Sequence, residues 1–214
     1  MNKLFVFVLI VMFTIPCLGR SGSIENGEKI ANQSFGGVPA CAICHQADGA
    51  GNAAAGFPRL AGLNEHYMTQ QLNSFLDGSR VNPVMQASIQ GLESQQLADV
   101  SAYYASLPIP EIPAVTVTEE QLARGQQLVE HGDWSKYVPS CQSCHGPGNK
   151  GVGDTFPALA GQHAGYLKQQ LLDWQKDVRQ NDPNQLMIYI AKRMDAEDID
   201  AVTAYLASLT AQKR

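Results

Sequence analysis

Cys41-Ala42-Ile43-Cys44-His45 recurs as Cys141-Gln142-Ser143-Cys144-His145. Two cysteines three positions apart, followed at once by a histidine, form the C-x-x-C-H pattern of c-type haem attachment. The two thiols can form thioethers with the two vinyl groups of one haem, and the neighbouring histidine can reach its iron. One copy is a modest signal. Two copies inside a longer repeat predict two covalently bound haem c groups. Cys41, Cys44, Cys141 and Cys144 are the attachment points, and His45 and His145 the iron ligands.

The repeat extends well beyond the motifs. Val38-Pro39-Ala40 leads into the first motif and Val138-Pro139-Ser140 into the second. Gly56-Phe57-Pro58-Arg59-Leu60-Ala61-Gly62 returns as Thr155-Phe156-Pro157-Ala158-Leu159-Ala160-Gly161. Tyr67 with Gln70-Gln71-Leu72 matches Tyr166 with Gln169-Gln170-Leu171, and Tyr103-Tyr104-Ala105-Ser106-Leu107 matches Tyr205-Leu206-Ala207-Ser208-Leu209. The chain therefore divides into two homologous modules, residues 24–107 and 118–214. The connection, 108–117, holds Pro108, Pro110 and Pro113, a spacing that favours an extended, stiff linker.

Residues 1–23 read as a secretory signal peptide. Lys3 gives a positive start, Leu4–Ile15 is apolar apart from one Thr, and Pro16 precedes small residues. The run falls short of the roughly 20 residues that span a bilayer. Cleavage fits after Gly19 or after Ser23. The rival readings are an uncleaved anchor and a lipid attached to Cys17. An export signal places the mature protein in the periplasm.

Of five cysteines, four lie in the motifs and Cys17 lies in the leader, so none remains for a disulfide. The formal charge is −5, from 15 basic and 20 acidic residues. Removing 1–23 takes away Lys3 and Arg20, leaving 13 against 20, or −7. Such an acidic chain argues against nucleic acid and anionic membrane as direct partners. It suits partners with a basic docking face, and any membrane association would run through them.

Hydrophobic periodicity predicts an all-α fold. Helices are expected near 25–33, 65–76 and 95–107, and near 119–131, 164–174 and 196–209. Thr118 with Gln121 is a capping box, and Asn64 and Asp195 are caps, with Gly78 as a stop. Tyr67, Met68, Leu72, Phe75 and Leu76 are expected on one buried face. Gly27 and Gly125 fall inside predicted helices, at about 1 kcal/mol each relative to Ala, which points to close helix crossings. The glycine-rich loops after the motifs lack the spacing of a phosphate loop.

Methionine is the usual partner of histidine on the iron of electron-carrying cytochromes. Met85 and Met187 recur in register, each 22 residues before the last Leu of its module (107 − 85 and 209 − 187). Each follows a loop with Asn and Pro, from which its sulfur can meet the open haem face. Met68 and Met194 align with Leu167 and Leu92 and read as core. His66, His131 and His163 do not recur and read as surface or loop residues. Pro58 and Pro157 follow the motifs at similar distances; a backbone carbonyl there can accept the Nδ1–H of His45 or His145, or the prolines can simply stiffen the loop. A thioredoxin-like site lacks its βαβ context, and a Cys₄ zinc site would need both pairs together.

Taken with both C-x-x-C-H motifs, the F-P-x-L-A-G segments, Gly161-Gln162-His163, the paired methionines and the Y-x-A-S-L ends, the chain resembles the dihaem cytochrome c4 family. The resemblance implies two class I cytochrome c domains in tandem, each wrapped around one covalent haem and related by a pseudo-twofold axis. It implies that Pro58 and Pro157 contribute the carbonyls that hold the haem histidines. It also implies a periplasmic electron carrier between a cytochrome bc complex and a terminal oxidase. The alternative is a cytochrome subunit of a periplasmic flavoprotein dehydrogenase of the sulfide-oxidising type. A dihaem enzyme such as a peroxidase would need an open iron, and methionine on both irons leaves none.

Overall fold

The computed structural model describes residues 21–34, 37–111 and 117–212. The leader, with Cys17, and the centre of the Pro-rich linker lie outside these residues. Among them no helix is long and apolar enough to cross a membrane, and no strand longer than an isolated bridge occurs. The fold is all-α, as the periodicity predicted.

Module one contains α1 (Ile24–Asn32), α2 (Ala42–His45), α3 (Glu65–Asp77), α4 (Pro83–Ile89) and α5 (Ser94–Ser106). Module two repeats them as α6 (Glu119–Glu130), α7 (Gln142–His145), α8 (Ala164–Gln175), α9 (Leu186–Ala191) and α10 (Ala196–Ser208). The caps explain the boundaries. Asn64 accepts from the Tyr67 amide, and Gly78 closes α3 at φ 80°. Thr118 and Gln121 form the capping box of α6, and Asp195 caps α10. Glu93 with Gln96 makes a further box on α5 that the sequence reading missed.

The two intrahelical glycines sit where the terminal helices of each module cross. A Cβ on Gly27 would lie 2.0 Å from the Asp99 carbonyl oxygen on α5, and one on Gly125 would lie 2.3 Å from that of Ala201 on α10. No side chain fits there. Each module then closes its own core. Ile30, Met68, Phe75, Leu97 and Val100 share the first; Leu128, Val129, Leu167, Trp174, Ile199 and Val202 share the second. Leu76, expected on the buried face of α3, is 43% exposed. It follows Phe75 by one position, about 100° round the helix, which turns it out of the core.

The modules meet through reciprocal contacts. Arg80 and Arg179 pair as an antiparallel bridge. Beside it the Val81 amide donates to the Val178 carbonyl at 3.2 Å and the Gln180 amide to the Ser79 carbonyl at 2.7 Å. Equivalent residues of the two modules thus meet each other, as a twofold relation requires.

Candidate haem sites

Each motif forms one short helical turn that ends at its histidine. The His45 amide bonds the Cys41 carbonyl at 2.9 Å, as the His145 amide does that of Cys141. Positive φ at Gln46 (63°) and Gly146 (79°) then turns the chain back. Gly51 and Gly151 donate their amides to the carbonyls of His45 (3.0 Å) and His145 (2.8 Å). A Cβ on Gly51 would fall 2.4 Å from the Pro58 carbonyl oxygen, and both glycines have φ in the left-handed region, 76° and 86°. The tight return places the proline carbonyl beside the imidazole.

His45 Nδ1 lies 3.1 Å from the Pro58 carbonyl oxygen, and His145 Nδ1 lies 2.8 Å from that of Pro157. A carbonyl only accepts, so each Nδ1 carries the proton and each Nε2 keeps its lone pair. His45 Nε2 is buried and has no hydrogen-bond partner. Burial holds both imidazoles below their ordinary pKa, with the proline carbonyls opposing. A neutral ring, fixed in orientation and offering an unpartnered nitrogen, is what an iron ligand needs.

The four cysteines are free and half-buried. Burial pushes the Cys41 thiol up to about 11 and the Cys141 thiol up to about 12. Neutral thiols held within one turn of the buried histidine fit thioether formation to a cofactor in the same crevice.

Met85 and Met187 differ from expectation in local structure. Both lie in the first turn of a short helix, α4 or α9, rather than in a loop. Asn82 caps the Met85 amide at 3.0 Å, and Asp182 accepts the Met187 amide at 2.8 Å. Pro83 presets the first helical φ of α4, so the Asn-Pro pair starts a helix. Both methionines are half-buried against their own module's core, whereas Met68 and Met194 are 6% exposed and belong to it.

The Cytochrome c family model matches residues 24–108 and 122–210, one match on each module. This chain is a dihaem, cytochrome c4-like member of the cytochrome c family. It is 31% identical to the reduced cytochrome c4 structure from Pseudomonas stutzeri, covering 89% of this chain and 100% of that one, with a TM-score of 0.76. It is 42% identical over 195 residues to the thiosulfate dehydrogenase electron acceptor of Stutzerimonas stutzeri (strain A1501), covering 90% of each chain. It is also 41% identical, with a TM-score of 0.82, to the thiosulfate dehydrogenase TsdBA structure from Marichromatium purpuratum, covering 87% of this chain. This chain spans 40% of that longer chain. Two covalently bound haem c groups and an electron-carrying role follow from the family and the paired motifs.

The module interface of this cytochrome holds residues that motif reading passed over. Arg80 donates to Gln71 (3.2 Å) and, across the interface, to Gln170 (2.6 Å) and the Tyr166 hydroxyl (2.8 Å). Arg179 mirrors it, donating to Gln170 (3.0 Å), Gln71 (2.8 Å) and the Tyr67 hydroxyl (3.3 Å). The arginines are 7% and 4% exposed. Burial and repulsion from Arg80 push the Arg179 guanidinium below its ordinary pKa. All these acceptors are neutral, so the pair is a buried dication suited to the carboxylates of two haems. The recurrence of Arg at an offset of 99 (179 − 80) was the available signal.

His163, expected at the surface or in a loop, stands at the N-terminal boundary of α8 without a side-chain capping bond, and is 7% exposed. Its Nε2 lies 2.9 Å from the Ala50 carbonyl oxygen of the other module. It serves the interface, while His66 and His131 are exposed. Gln162 and the Arg59 backbone exchange two hydrogen bonds of 2.9 Å beside it.

Proposed function

We propose that His45 with Met85, and His145 with Met187, bind the two haem irons. In this reading Cys41, Cys44, Cys141 and Cys144 make the thioethers, and the Pro58 and Pro157 carbonyls fix the histidine rings. The observation that carries it is the histidine Nδ1 contact to a proline carbonyl in both modules, with His45 Nε2 buried and unpartnered. Bound haem supplies a one-electron ferric–ferrous couple. The protein would hold these histidines and methionines rigid and limit water around them. The modules are residues 24–107 and 118–214, joined by the linker 108–117.

The protein acts as the periplasmic electron acceptor of a dehydrogenase that oxidises thiosulfate. The likeness to the electron acceptor of S. stutzeri and to the TsdBA chain supports this partner. It is consistent with the dehydrogenase-subunit alternative considered from sequence. The cytochrome c4 likeness supports a second reading, a carrier from a cytochrome bc complex to a terminal oxidase. Export fits the leader, with cleavage on the Gly19 side. The Gly22 amide donates to Glu65 and Ser23 caps α1, so both pack against the start of the first module.

The test mixes the purified holoprotein with thiosulfate dehydrogenase and thiosulfate and follows haem reduction. Fast, complete reduction of both haems is expected. Reduction by a bc complex but not by the dehydrogenase would select the second reading. A methionine-to-iron charge-transfer band lost stepwise in Met85→His and Met187→His would establish the axial ligands. A band that persists in both variants would remove them.

A further inference from the structure

Just ahead of the second motif, residues 133–138 form a closed turn that points two aromatic side chains outward. Trp134 is 70% exposed and Tyr137 is 67% exposed. The turn beneath them is firmly held. Asp133 and Val138 exchange backbone hydrogen bonds of 2.7 and 3.0 Å. The Asp133 carboxylate accepts from the Ser135 amide and hydroxyl and from Arg124. Lys136 reaches across to Asp195 at 2.7 Å and to Asp198 at 2.6 Å. Exposed rings on a rigid stem lose little freedom when a partner covers them, and Trp and Tyr are the residues that most often anchor such contacts.

Tyr137 also bears backbone strain. Its φ is 56°, in the left-handed region, where a bulky side chain is an outlier. The repeat supplies the comparison. Gly37 matches Tyr137 and Ser34 matches Trp134, both at an offset of 100, and Gly37 has φ 86°. Module one thus holds the residue that this conformation prefers, while module two places a tyrosine there and leaves its ring in water. Neither burial nor local conformation accounts for that choice, and strain kept without a folding benefit marks a functional surface.

The charge around the rings says what they meet. Arg124 and Lys136 face Asp133, Asp195 and Asp198, two positive charges against three negative, and the Asp195 side chain is 56% exposed. With a chain charge of −5, this surface repels a second copy of itself and an anionic bilayer. It fits a protein that offers an apolar recess with a basic rim. We infer that Trp134 and Tyr137 anchor the thiosulfate dehydrogenase on module two. The inference rests on the partner proposed above. Val138, 1% exposed, and Pro139-Ser140 lead from the turn straight to Cys141, so a partner seated on the rings lies beside the attachment point of the second haem.

Trp134→Ser and Tyr137→Gly, which copy module one, test this in the holoprotein. Reduction by thiosulfate dehydrogenase with excess thiosulfate gives KM for the cytochrome and kcat. Each variant is expected to raise KM by about tenfold or more, with kcat, haem content and the rate of reduction by ascorbate close to wild type. Tyr137→Gly is also expected to unfold at the same or a higher denaturant concentration, because glycine relieves the left-handed strain. Wild-type KM in both variants would overturn the inference, as would a rise in KM found only where stability or haem is lost. A wild-type dimer in sedimentation that Trp134→Ser dissolves would overturn it in favour of a second copy. A wild-type protein that the dehydrogenase fails to reduce would overturn the function proposed above, and this occupant with it.

Discussion

Each pair of terminal helices buries one aspartate, Asp99 and Asp198, at 3% and 2% exposure, but the two stand at different repeat positions (Asp99 matches Ala201, and Asp198 matches Gln96) and are satisfied differently. Asp99 accepts from the Ser23 amide at 2.7 Å and from Gln95 at 2.8 Å, both neutral donors. Asp198 takes Arg124 at 2.6 Å and Lys136 at 2.6 Å, and these two bases reach on to Asp133 and Asp195. A buried aspartate thus serves each pair of terminal helices, but neither its position in the repeat nor its partners are shared. The same holds nearer the haem sites. Module one has Gly49 beside Tyr104, and module two has Asn149 and Leu206 in their places. A Cβ on Gly49 would lie 2.9 Å from the Ala61 amide nitrogen and 3.0 Å from the Tyr104 ring, whereas Asn149 is accommodated at 1% exposure in the second module. Duplication preserved what geometry forces and let the rest drift.

The largest expected break in this comparison comes from the motifs. Replacing Cys141 and Cys144 by Ser removes the attachment of one haem and is expected to halve haem absorbance per chain. The separate core of module one should keep its own haem. Loss of both haems would show the modules to be one cooperative unit.

Next come the glycine crossings. Gly27→Val and Gly125→Val should each destabilise their own module by about 3 kcal/mol or more, because backbone on the facing helix must move. Denaturant unfolding of each variant, read by module-specific haem signals, measures this. Similar costs would confirm that this feature is shared.

Arg59 is one-sided, since Ala158 stands in its place in module two. It is 1% exposed, and its guanidinium serves the carbonyls of Ala61, Gly161 and Ala160. Arg59→Ala should cost about 2 kcal/mol by leaving buried carbonyls unpaired. It should also separate the unfolding of the two modules, which calorimetry would resolve. An unchanged single transition would show that the docking rests on the Arg80–Arg179 region.

The smallest effect is in acid. Hydrogen bonds from Ser135 and Arg124 hold Asp133 at about 2, below the usual 3.8. A depressed folded pKa contributes stability above the unfolded value, and this is lost as pH falls from about 4 toward 2. Module two should lose this contribution in that window, and Asp133→Asn should flatten its acid profile while leaving that of module one unchanged. Haem-specific signals followed during acid titration check it.

Much of this protein was legible in its sequence. C-x-x-C-H gave the haem type and its covalent attachment because thioether chemistry needs those residues at that spacing. Periodicity and caps gave the main helices, since those signals are local. Gly27 and Gly125 announced a close approach, although not which helix would approach. The short helices carrying Met85 and Met187 were missed because one or two turns leave too little periodicity to read. His163 and Arg59 looked like ordinary polar residues, and only docking of the modules buries them. Arg80 and Arg179 stand 99 positions apart, and their mutual contact, with its demand for an anion, exists only when the two modules face each other. Local chemistry wrote the haem sites into the chain. Packing decided which buried charges and donors the two sites share, because burial is a property of neighbours that the linear order does not name.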